Sequence, residues 1–193
     1  MQPDAPGLTT ADSSEDERLG KMWGARCATL HRAWVQVRYH RRRQRFFDLL
    51  DKLTKSATVV LGASLMGQHL YSLLPWLATS ITALGLLALV FGYGDRKQTH
   101  KELAEQAAGI VADIVAVPVA DLDFKRTAHW DSAYARLVAK APPPLKTLML
   151  ICEKEQSNAD GHHTLPHFPK LRWYRRWLPQ FFRPRARPVP PFR

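Results

Sequence analysis

Cys152, His162, His163 and His167 gather one thiol and three imidazoles toward the end of the chain, the ligand types that a tetrahedral zinc ion takes. Their spacing matches no zinc motif, and the histidines flank a turn and a proline-rich stretch, so no metal is expected. Gly92-Tyr93-Gly94 lacks the third glycine and the preceding strand of a phosphate-binding loop. Glu153 and Glu155 are two apart on an expected helix and face different directions, which argues against a carboxylate pair acting as acid and base. Cys27 and Cys152 read as buried thiols in a reducing compartment. These side chains define no catalytic site and no cofactor site, and the chain is expected not to be an enzyme.

The distribution of charge is more informative. The chain has 193 residues, a net charge of +11 and a mean hydropathy of −0.28, averages that exclude a collagen-like, disulfide-stapled or wholly disordered chain. Within it, the 39 residues from Ser56 to Gly94 hold no Asp, Glu, Lys or Arg. A bilayer core of about 30 Å takes roughly 20 residues per helical crossing, so this segment is too long for one span and suits two. The expected hairpin has spans at 56–73 and 76–93, joined at Leu74-Pro75-Trp76, where proline fits the start of a new helix. The alternative is a helical hairpin buried in the core of a soluble protein. Ala63 and Gly67, and Ala88 and Gly92, are small residues four apart, and Gly85 lies on the second span. Such residues let helices approach closely, either closing the hairpin on itself or binding further copies in a homo-oligomer. Gln68 and His69 would then face a polar lumen.

The flanks set the topology. Arg38, Arg41, Arg42, Arg43 and Arg45 precede the hairpin, Arg96 and Lys97 follow it, and the turn is uncharged, so both arms are expected in the cytoplasm. The expected partner of this patch is a bilayer with an anionic inner leaflet, which rewards each nearby cation by about 1 kcal/mol. That explains the arginines more simply than nucleic acid does. The first 20 residues are acidic and carry no hydrophobic segment, so the first span is expected to act as the insertion signal.

The expected architecture is all-α, a membrane hairpin continuing into an antiparallel cytoplasmic helical stalk with two further short helices. It divides into an acidic disordered N-terminus (1–18), an amphipathic helix (19–55), the hairpin (56–94), a second amphipathic helix (95–118), two short helices (119–160) and a basic, Pro- and aromatic-rich tail (161–193). Trp23, Cys27, Leu30, Trp34 and Val37 form a seam of coiled-coil spacing on the first arm, as do Leu103, Ala107, Ile110, Ile114 and Val117 on the second, up to Pro118. A third helix is expected over 121–140, capped by Asp121, and a fourth over about 144–156.

Tyr39-His40-Arg41-Arg42-Arg43, then Phe46-Phe47 and Leu53-Thr54-Lys55, lead into a small-residue hairpin that leaves through Gly94-Asp95-Arg96-Lys97 into a heptad-like helix. Over about residues 20–120 this resembles the SLATT superfamily of two-helix bacterial membrane proteins. The resemblance implies a non-enzymatic effector of a bacterial conflict system in the inner membrane, both termini cytoplasmic, ending in pore formation or membrane disruption and working beside a sensor encoded nearby. A prophage holin and a membrane-anchored scaffold without pore activity are the alternatives.

Overall fold

The computed structural model of the chain describes residues 10–64 and 74–161. Every element among them is helical: α1 (Thr10–Ser64), α2 (Leu74–Phe91), α3 (Tyr93–Val115), α4 (Phe124–Lys140) and α5 (Lys146–Ala159), with a 3-10 turn at Val119–Asp121. The basic tail, Gly67, and His162, His163 and His167 lie outside the described residues.

α1 is one uninterrupted helix across three segments that the sequence divides. It starts at Thr10, so residues 10–18, expected to be irregular, are helical. The acids that suggested disorder are the charges a helix N-terminus favours, and Glu17 pairs with Lys21 at 2.7 Å one turn on. Asp48–Lys52 and Asp51–Lys55 repeat that i,i+4 pairing farther along.

Leu74, Pro75 and Trp76 form the first turn of α2 rather than a turn before it, because proline has no N–H to lose there. Gly92 is the joint between α2 and α3: its φ of +53° is a left-handed conformation that glycine adopts without a Cβ clash. Gly92 N–H still donates to Ala88 O at 3.1 Å and Arg96 N–H to Gly92 O at 3.1 Å, so backbone hydrogen bonds hold the joint on both sides. α3 ends before Pro118. Val119–Asp121 then turns, Leu122 is buried, and Asp123 caps α4 by accepting from Arg126 N–H at 2.6 Å. Asp121, the expected cap, is used in the 3-10 turn because burying Leu122 requires extended backbone after it. Pro142, Pro143 and Pro144 keep the next segment out of a helix until α5 begins at Lys146.

α1 and α3 pack side by side and antiparallel, Asp48 facing Lys97 and His40 facing His100. Ala33 and Ala107, both fully buried, let the backbones approach, and Val37, Leu103, Ile110 and Ile114 fill the space with Leu122, Trp130 and Leu137 from the returning chain. A second cluster, Val35, Tyr39, Leu148 and Cys152, packs α5 on another side of α1.

The first-arm seam is therefore rotated from its expected position. Trp23, Cys27 and Trp34 are exposed, while Thr29, Ala33, Gln36, Val37 and His40 are buried. Three helices cover α1 here, and polar side chains with partners can occupy its buried face. Thr29 Oγ1 donates to Asp131 Oδ1 at 2.7 Å, Arg32 Nη2 reaches the same oxygen at 2.9 Å, and Leu145 N–H donates to the Tyr39 hydroxyl at 3.0 Å. The second-arm seam is buried from Leu103 to Ile114, as its spacing suggests.

Candidate functional site

Among the described residues, exposed apolar side chains run along α2 and the end of α1. The stretch Pro75–Val115 is long and apolar enough to cross a membrane, and none of its apolar window is buried. Leu89 is 79 % exposed, Val90 76 % and Val59, across on α1, 70 %. Unpartnered surface of this size on a folded chain marks a contact with lipid or protein. The polar atoms of α2 are turned inward along the helix: Thr79 Oγ1 donates to Pro75 O at 2.7 Å, Ser80 Oγ to Trp76 O at 2.8 Å and Thr82 Oγ1 to Ala78 O at 2.9 Å. Each hydroxyl is satisfied by the preceding turn and needs no water.

Of the small residues expected to pack the hairpin, Ala63 and Gly85 are exposed, and among the described residues a Cβ placed on Gly85 meets nothing within 4 Å. Ala88 is half-buried, and Gly92 is explained by its backbone conformation.

The seven basic residues of the expected patch fall into three groups. Arg38 Nε donates to Gln156 Oε1 at 2.7 Å, Arg42 Nη2 to both carboxylate oxygens of Glu155 at 2.7 and 2.6 Å, and Lys97 Nζ to Asp48 Oδ1 at 2.6 Å. Those three tie α5 and α3 to α1. Hydrogen bonds from Lys52 and then Lys97 hold the Asp48 carboxyl down to about 2, so it stays ionised across the physiological range. Arg43 lies over the rings of Phe47 and Phe46, 4.6 and 5.5 Å from their centroids. Arg41, Arg45 and Arg96 are exposed. Sequence spacing could not separate these sets, because the partners on α5 are more than a hundred positions away.

A histidine pair is the feature that sequence reading missed. His40 Nδ1 and His100 Nδ1 are 2.9 Å apart and join α1 to α3, with His40 1 % and His100 4 % exposed. The His100 ring stacks on Phe47, centroids 5.6 Å apart and 9° from parallel, and Tyr39 meets both imidazoles edge-on. His40 Nε2 is buried and has no hydrogen-bond partner among the described residues, and His40 lines a cavity of about 40 Å³ beside Gln36, Tyr39 and Met149. Burial first, then the charge of a protonated His100 and of Arg43, lowers His40 to about 4; burial, Arg43 and Arg96 lower His100 to about 4. Both imidazoles are neutral at pH 7, one Nδ1–H donating to the other Nδ1. Only the sequence distance of 60 residues hid the pair, since each histidine stands alone on its own helix.

Cys152 is fully buried, and burial raises its thiol to about 11, so it is an unreactive part of the core. Cys27 is exposed, contrary to the expectation of a buried thiol. Among the described residues no group of three or more His, Cys, Asp or Glu side chains is placed to hold a metal ion. The described residues are all helical or in turns, and one helix among them is long and apolar enough to cross a membrane. The chain matches no protein-family model, no curated protein and no solved structure.

Proposed function

We propose that this chain is a non-enzymatic inner-membrane protein of the SLATT kind, which oligomerises through its hairpin and perturbs the bilayer in a bacterial conflict system. The observation that carries the reading is the pairing of an unburied apolar α2, its hydroxyls internally satisfied, with the exposed cations Arg41, Arg45 and Arg96 beyond its charge-free boundary. α2 and the charge-free end of α1 form the two spans, both termini lie in the cytoplasm, and the arginines meet an anionic inner leaflet. Open space around Gly85 supports contact with a second copy rather than closure of the hairpin on itself. A sensor protein encoded nearby would supply the trigger. A membrane-anchored scaffold is the second reading, favoured by the extent of the helical bundle built from α1, α3, α4 and α5 outside the span.

Dye release separates the two. The full chain, reconstituted in phosphatidylcholine–phosphatidylglycerol vesicles, is expected to release a trapped dye, and Gly85→Leu to return release to background while insertion is retained. Leucine at position 85 enters open space in one chain, so its effect reports on contacts between copies. Insertion without release under any condition leaves the scaffold.

A further inference from the structure

We infer that the buried His40–His100 pair is a proton-binding site that locks α1 to α3 when neutral and releases them when both rings are protonated, coupling acidification to the membrane hairpin. The inference rests on the membrane reading above and names its regulation. At 2.9 Å the two Nδ1 atoms form a hydrogen bond only while at least one of them is unprotonated. The first added proton leaves one Nδ1–H facing one bare Nδ1, so the contact survives with a buried charge. The second puts two N–H donors and two positive charges face to face, and the rings must part.

Among the described residues, the charged groups that face the pair are cations, Arg43 from α1 and Arg96 from α3, and the Tyr39 ring meets both imidazoles edge-on. The cavity wall supplied by α4, α5 and their connection is Val138, Ala141, Pro142, Pro144 and Met149, all uncharged. The cavity itself exceeds the roughly 10–15 Å³ that one water needs, and it lies beside the ring whose Nε2 lacks a partner among the described residues. A water there would give a proton a route to His40 Nε2 without prior unfolding. The lever is short: two helical turns of α3 separate His100 from the joint at Gly92, so parting of the rings acts on the base of α2.

The test uses the full chain with Cys27→Ser and Cys152→Ser and spin labels at Leu49 and Gln98, exposed sites on α1 and α3, in lipid nanodiscs. Dipolar EPR reads the separation of the helices, and dye release is followed in parallel in vesicles, both from pH 7.5 to 3.5. The separation is expected to widen between about pH 6.5 and 4 with uptake of two protons. His40→Gln/His100→Gln, an uncharged pair that can still donate and accept, is expected to stay closed throughout. If that double variant does not fold, His100→Gln alone must lower proton uptake to one. A separation that does not respond to pH, or that responds equally in the Gln variants, overturns the switch, whatever the dye does. Acid-driven widening without dye release upholds the switch and instead defeats the membrane-permeabilising reading.

Discussion

Leu86→Arg is expected to abolish stable membrane insertion of α2, at a cost of about 3 kcal/mol for a cation near the centre of a span. The prediction is discriminating because Leu86 is 57 % exposed. On a helix facing water, such a substitution stays within about 0.5 kcal/mol, since it removes no contact and buries no charge. On a helix facing lipid, the guanidinium has neither water nor an acidic partner nearby. Leu150→Arg on α5 is the control: Leu150 is also exposed, but it lies on the helical bundle and its substitution should be silent. Membrane fractionation with alkaline extraction reads both variants. Equal behaviour of the two would place α2 outside the bilayer.

Ile114→Ala is expected to destabilise the helical bundle by about 3 kcal/mol, within the range measured for deleting buried aliphatic groups. Ile114 is 0 % exposed and belongs to the cluster in which α3 meets Leu122, Trp130 and Leu137, so the returning chain cannot close the gap without moving α4. Ile114→Val, which removes one methylene, should cost about 1 kcal/mol. Denaturant unfolding followed by far-ultraviolet circular dichroism measures both. Because Ile114 lies at the far end of α3 from Gly92, insertion of α2 should be unaffected, which separates the two halves of the molecule energetically.

Helix content was legible wherever one helix determines its own pattern. The charge-free segment marked α2, the 4-3-4 spacing marked the buried face of α3, and prolines marked the ends of α3 and the start of α5. The reading failed where several elements converge on one. α1 is contacted by α3, α4 and α5, so its buried face is not a two-helix seam. Thr29, Gln36 and His40 go inside because the returning chain or α3 covers them, while Trp23 and Trp34 stay outside, the former under the Arg26 guanidinium 5.3 Å from its ring. Of the candidate patch, the arginines were found but not their division, since Arg38 and Arg42 acquire Gln156 and Glu155 only after the chain returns. The histidine pair was illegible for the same reason. Gly92 was noticed for its size, whereas its positive φ depends on the turn of the chain between α2 and α3.

The most direct measurement of the membrane reading is the sidedness of two single cysteines. One chain keeps the exposed Cys27 alone, with Cys152→Ser, and the other carries Ser72→Cys in a Cys27→Ser/Cys152→Ser background. Ser72 lies in the segment between α1 and α2, outside the described residues. In intact bacterial spheroplasts, an impermeant maleimide is expected to label Ser72→Cys and to leave Cys27 untouched until the membrane is opened. Labelling of Cys27 from outside, or protection of Ser72→Cys until lysis, contradicts a hairpin with both arms in the cytoplasm.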